Sequence, residues 1–318
     1  MTHRKAKTVE WPTVALIATT HAAILGLTAG AGGYLPLFVL VPLLAAALAL
    51  YSSLQHEVLH GHPFPSVALS EATVFPAWGL WLPYERFKAT HLTHHFDPNL
   101  TDPFDDPESN YYEEEEFRRK YRYLSPVLHF NNTLLGRIVL GPAIGVLAFL
   151  RSEMIALARG DRAVWRAWAL HVAGLVPVIA WLRLAGGIPA SAYGLAVYLS
   201  VSILKVRTFL EHRAHERAGA RTVLIEDRGI LAFLFLNNNL HAVHHAHPGL
   251  AWYRIPARYR ARREAYVART DSYVFRSYGE IFRRFLFRAK DPLVHPLWNR
   301  TNRNTDSLHN TDYTPKAN

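Results

Sequence analysis

The sequence predicts an all-α integral membrane fold: four transmembrane helices in two hairpins, with a histidine-rich helical cap on the cytoplasmic side. Three observations carry that reading. Residues 11–56 contain no Asp, Glu, Lys or Arg, although 19% of the chain is charged. Half of all residues are hydrophobic, and that charged share is below the roughly 25% of ordinary soluble domains. The 18 histidines gather just beyond the apolar stretches rather than inside them. So much apolar residue excludes disorder. The absence of cysteine excludes disulfide scaffolds, zinc fingers and iron–sulfur clusters. Residues 1–318 read as a single domain.

The basic start His3-Arg4-Lys5-Ala6-Lys7 precedes an apolar stretch too long for a secretory signal. Two spans fit it better, about 14–30 and 34–53, with Gly32, Gly33 and Pro36 at their junction. Each is close to the length needed to cross the hydrocarbon core. A second pair follows at about 167–182 and 184–204, bounded by Arg166, Arg183 and Lys205. Gly186, Gly187 and Pro189 punctuate its turn, and Trp165, Trp168 and Trp181 suit the membrane interfaces. Three shorter stretches, 68–82, 138–150 and 229–240, read as interfacial, re-entrant or buried helices. The middle one has 13 uncharged residues, a rise of only about 20 Å.

Basic residues set the orientation. Arg4, Lys5 and Lys7 precede the first span, and Arg118, Arg119, Lys120, Arg122 and Arg137 lie in the long middle link. A basic tail, about 257–318, follows the last span. The positive-inside rule places both termini and the middle link in the cytoplasm. The aromatic residues threaded through the arginines of 254–288 fit a membrane surface, and nucleic acid is not expected as a partner. The acidic run Glu113–Glu116, with Asp102, Asp105 and Asp106 before it, reads as a solvated loop.

Four histidine clusters follow from this topology onto one membrane face. His56 and His60 share a helix face directly after the second span. His91, His94 and His95 converge in the same way, and His241, His244 and His245 repeat that spacing 150 residues further on. His212, with His215 behind it, ends the fourth span. The segment His56-Glu57-Val58-Leu59-His60 has the spacing of a zinc protease, but a three-ligand zinc site does not need the other clusters. Nine imidazoles, His56, His60, His91, His94, His95, His212, His241, His244 and His245, exceed what one metal uses and point to two. Oxygen chemistry needs a redox metal, and neutral imidazole suits iron. Around them, His62, His215 and His247 are candidates for a supporting or additional-ligand role, and Glu57, Asp97, Glu211 and Glu216 for orienting imidazoles. Asn238 and Asn239 belong to an apolar stretch where three consecutive asparagines call for a structural or water-binding reason. His21, His129 and His171 lack ligand-spaced neighbours and read as structural. A metal transporter would line its spans with histidine, yet only His21 and His171 fall within them.

Taken together, His56-x3-His60, His91-x2-His94-His95, the histidine after the fourth span and His241-x2-His244-His245 resemble the integral-membrane fatty acid desaturase and hydroxylase superfamily, over about residues 14–256. The run Asn239-Leu240-His241-Ala242-Val243-His244-His245-Ala246-His247-Pro248 is similar to bacterial members, which implies a multi-pass protein of the bacterial inner membrane. Two departures stand out. Glu57 replaces the aspartate of many desaturases, and Thr208 stands where some acyl-CoA desaturases have asparagine. The resemblance implies a two-iron centre on the nine histidines, molecular oxygen as cosubstrate, and an amphiphilic lipid substrate. It also implies a separate electron donor, such as ferredoxin or rubredoxin with its reductase. The activity it implies is fatty-acyl or lipid desaturation. Hydroxylation of a lipid, alkane or carotenoid, ketolation and oxidative decarboxylation stay open. Arg86, Lys88, Arg254 and Arg258 are candidates for an anionic headgroup, although positive-inside topology explains them equally well.

Overall fold

A computed structural model describes residues 6, 8–29, 34–96, 100–185 and 187–298. Arg4, Lys5, Lys7, Gly32, Gly33, Asp97, Gly186 and the chain beyond 298 lie outside the described residues. Helices α1 (Trp11–Ala29) and α2 (Leu37–Leu59) correspond to the first expected pair, and α2 carries His56 on its last turns. A short helix follows, α3 (Val67–Ala72), and then the 13-residue α4 (Tyr84–Phe96), which presents the second histidine cluster. The middle link holds α5 (Glu114–Glu116), α6 (Ser125–Asn131) and α7 (Leu134–Val139). Then come three long helices, α8 (Gly141–Ala158), α9 (Arg162–Ala185) and α10 (Ala190–Thr208).

Starts are set by side chains that accept the free amides of a first turn. Ser66 caps α3, Thr133 caps α7, and Asp161 accepts from Ala163 and Val164 at the head of α9.

Four helices among the described residues are long and apolar enough to cross a membrane: α1, α2, α8 and α9. The number matches the expectation, but the membership differs. The stretch 138–150 was expected to be too short. Its helix instead continues through Arg151 and Glu153 to 18 residues, about 27 Å. Glu153 does not end it because the carboxylate is buried and doubly bonded by Arg86 of α4, at 2.8–3.0 Å, with the Trp168 indole on its other side. The expected fourth span, 184–204, is α10, which has 19 residues. Ser191, Ser200, Ser202, Lys205 and Arg207 make it the more polar helix, and it lies along α2. Leu44, Leu48, Tyr51 and Leu54 of α2 meet Tyr193, Ala196 and Val197 of α10 in the main buried cluster.

The remaining chain is short elements: β1 (Leu224–Ile225), α11 (Ile230–Leu234), α12 (His241–Ala246), α13 (Ile255–Ala261), α14 (Arg263–Arg269), β2 (Val274–Phe275) and α15 (Tyr278–Phe285). The two strands pair in parallel, a minimal exception to an all-α fold. The segment expected as a basic tail folds back onto the body as far as residue 298. Tyr259, Tyr266, Phe275, Tyr278 and Ile281 are buried against the chain around α12 and α7. Its aromatic residues are its core, and the arginines between them face outward.

Candidate metal centre

Three elements bring the histidines together. The C-terminal turns of α2 supply His56, followed by His60 as the helix closes. Helix α4 supplies His91, His94 and His95, and α12 supplies His241, His244 and His245. His212 follows α10, held by pairing with Thr222 as the chain doubles back. Just before α12, Leu236 and Asn237 adopt left-handed backbone, with φ of 51° and 59°. This reversal aims the short helix at α2 and α4. Asparagine tolerates that conformation better than most residues, and the Asn237 amide also donates to Trp252 O.

The nine histidines form two adjacent groups. One contains His56, His60, His91, His95 and His244; the other contains His94, His212, His241 and His245. Within each group the available ring nitrogens lie within 4.8 Å of one another. The rings of His95 and His245 stack across the boundary at 4.2 Å. The arrangement is not a hydrogen-bonded cluster. His91 Nε2 lies 2.9 Å from His56 Nε2, 3.0 Å from His95 Nε2 and 3.2 Å from His60 Nε2. One imidazole nitrogen carries either a single proton or a single lone pair, so it cannot bond to three others. In the second group His212 Nε2 lies 2.9 Å from His94 Nε2 and 3.0 Å from His241 Nε2. His245 Nε2 is buried with no hydrogen-bond partner among the described residues. Imidazoles bound at right angles to one metal, with bonds of about 2.0–2.1 Å, stand about 3.0 Å apart. The donor set therefore fits two metal ions.

The outer ring nitrogens fix the tautomers. A carboxylate only accepts, so His91 Nδ1–H donates to Glu108, 2.9 Å away, and His94 Nδ1–H donates to Asp106 at 2.8 Å. His241 Nδ1–H donates to Asn238 Oδ1 at 3.0 Å, and the amide of Asn238 donates in turn to Glu211. Each bond turns the Nε2 lone pair inward. Burial, reinforced by neighbouring imidazoles, holds His212, His241, His244 and His245 well below the usual histidine range, in the neutral form that binds metal. At His94 burial acts in the same sense, but Glu108 and Asp106 outweigh it and hold the ring up to about 9. Two acids that favour a proton on His94 favour a metal cation in its place.

Asp106 and Glu108 are the residues that sequence reasoning missed. Asp106 was expected in a solvated loop, yet it is buried, also accepting from the amides of Thr101 and Glu108. Its signal was faint: an Asp-x-Glu pair, Asp106 and Glu108, in the loop after the second cluster, at no helical spacing from it.

The supporting candidates divide. Asn238 and Glu211 touch the site as expected, and Glu211 also pairs with Arg207 at 3.0 Å. Asn239 does not touch a histidine: its amide donates to Ile225 O and Asp227 O, pinning β1. His215 pairs with Asp271, and His247 meets Arg258, so neither ring joins the two groups. Glu216 is exposed. Glu57 accepts the Trp252 amide, and His62 stands between Glu10, at 2.8 Å on Nδ1, and Glu57, at 3.8 Å on Nε2. One acid on each ring nitrogen is the arrangement of an imidazolium between carboxylates, not of three ligands facing one ion. Burial opposes that charge, but the two acids outweigh it and raise the His62 pKa. The cluster ties the chain before α1 to the first histidine pair and to the loop after the third. His21, His129 and His171 bond to Thr73 O, Ser125 O and Leu80 O, away from the site.

Comparison with known proteins adds a match to the fatty acid desaturase family over residues 5–277. The chain belongs to the fatty acid desaturase family. With its clustered histidines it is an O2-dependent, histidine-coordinated diiron oxidoreductase of that desaturase and hydroxylase family, in a multi-pass membrane protein. No curated protein matches this desaturase-family chain.

Proposed function

We propose that this enzyme is a lipid desaturase that removes two hydrogens from adjacent carbons of an acyl chain. O2 and two electrons from a separate donor are consumed, and two protons complete the release of two waters. The observation that supports the reading is the division of nine imidazoles into groups of five and four, each with one ring nitrogen per histidine gathered within 4.8 Å. His56, His60, His91, His95 and His244 would hold one iron, and His94, His212, His241 and His245 would hold the other. The iron pair supplies the redox chemistry that cleaves an unactivated C–H bond. The chain's own part is to keep the imidazoles neutral and aimed, through Glu108, Asp106 and Asn238, and to bury them from water. Helices α1, α2, α9 and α10 cross the bacterial inner membrane as two hairpins with α8 against them. Both termini and the metal face are cytoplasmic. The outward arginines of α13 and α14 suit an acidic electron carrier of the ferredoxin or rubredoxin kind.

Lipid mass spectrometry of cells carrying the intact protein or His244→Ala, supplied with a compatible donor, tests the reaction. Products about 2 Da lighter than substrate mark loss of two hydrogens and support desaturation. Products about 16 Da heavier mark oxygen insertion and replace it with hydroxylation. Conversion of a soluble, non-lipid compound alone would sink the membrane substrate.

A further inference from the structure

We propose that Lys290 and Asp291, in the segment that follows α15, are positioning residues for the four-histidine metal position, and that they set how tightly its ion is held; this rests on the two-metal reading above. The need arises at His212. The other eight histidines sit in a helix or directly after one, whereas His212 lies in the extended chain beyond α10. A ligand on a loop is placed less precisely than one on a helix unless other bonds hold it. The outer nitrogens of His91, His94 and His241 are anchored, but His212 Nδ1 is buried with no hydrogen-bond partner among the described residues. Its ring is therefore aimed through the backbone.

Two sets of bonds fix that backbone. On one side, the pairing with Thr222 uses the carbonyl of Glu211 and the amide of Arg213, which leaves the His212 carbonyl turned away from it. On the other side the Lys290 ammonium donates to that carbonyl at 2.6 Å. The lysine side chain is only 5% exposed, and its Nζ stands 3.4 Å from the Asp291 carboxylate. An ammonium so enclosed would be left unsolvated if it released those oxygens, so the contact is held. Asp291 extends the brace. Its carboxylate accepts the Tyr111 hydroxyl at 2.7 Å, and the Tyr111 oxygen accepts the Ala214 amide at 2.9 Å, two residues beyond His212. Tyr111 also closes the loop whose Asp106 aims His94, and the next residue, Tyr112, pairs with Val294 of the same segment. The segment thus reaches His212 and His94, two of the four ligands of one group. The group of five feels it only through Glu108 of that loop, at His91. The brace lies outside the residues matched to the family, 5–277, and is no part of the histidine motifs.

The test is iron retention by the full chain in detergent, read by competition with a chelator and by Mössbauer spectra, which separate two irons by their surroundings. Lys290→Met keeps the stem and removes the donor. It should weaken one of the two irons by about 10–100-fold and leave the other in place. Tyr111→Phe, a milder change, should show the same split to a smaller extent. Lys290→Arg, which can still donate to the His212 carbonyl, restores most of the loss. Asn239→Ala is the comparison, since its amide serves β1 and not a ligand; at a matched fall in melting temperature it should keep both irons. Equal weakening of both irons in Lys290→Met, or the same split in Asn239→Ala, overturns the brace. An intact protein that retains a single metal overturns the two-metal reading and the brace with it. Two retained irons that neither Lys290→Met nor Tyr111→Phe disturbs leave the centre standing and refute the brace alone.

Discussion

At the scale of single residues, the outer nitrogen of each imidazole is where function can be separated from stability. His244→Ala is expected to lower bound iron and reductant-dependent turnover together, whereas His129→Ala, whose ring bonds only within its own helix, leaves both unchanged. Elemental analysis beside an oxygen electrode distinguishes them. Glu108→Gln keeps the size of the side chain but withdraws its charge from His91 and His94, so metal retention should weaken by about 10–100-fold, read by competition with a chelator. Asn239→Ala should instead destabilise the fold without moving metal affinity, because its amide serves β1. The histidines were readable because helical geometry forces ligand spacing into the sequence. Asp106 and Glu108 were not, because a loop reaches a ring nitrogen with no periodicity to betray it.

Between elements, α8 shows how a charge can mislead. Arg151 and Glu153 suggested a boundary in the sequence, but a carboxylate enclosed by an arginine fork and an indole is tolerated inside a helix. The pair also fastens α8 to α4, the helix of the second histidine cluster. Arg86→Met strands the Glu153 carboxylate and should cost about 3–5 kcal/mol, seen as a lower melting temperature in detergent. The double variant Arg86→Met/Glu153→Leu should recover part of that loss, since an apolar replacement leaves no buried charge. The C-terminal stretch misled in the opposite way. Buried tyrosines at short helical intervals, outnumbered by exposed arginines, hide a core inside a segment with the composition of a tail.

For the molecule as a whole, the apolar runs and histidine spacings made the multi-span fold and two-metal site legible, because both follow from helix geometry and bilayer thickness. Which long helices meet the membrane was less legible, because α10 is polar enough to pack inside and α8 long enough to span. If α1, α2, α9 and α10 form two hairpins, tags at both ends are shielded in intact cells, and labelling of either tag from outside disproves it. Metal should also hold the body together. A ligand at 100 times its dissociation constant stabilises by about 2.7 kcal/mol. Stripping the metals with a chelator should therefore lower the melting temperature, and adding ferrous iron back should restore it.

The order in which the ribosome delivers the histidines follows from the same two groups. A nascent chain that ends before residue 241 has His56, His60, His91 and His95 of one group but only His94 and His212 of the other. Five more residues complete both, because α12 contributes His244 to one group and His241 and His245 to the other. By then all five long helices have been synthesised. Neither ligand set is complete during their insertion, so metal loading is expected late and nearly together at both positions, and a ribosome stalled shortly before α12 should leave a chain that retains less metal than the finished protein.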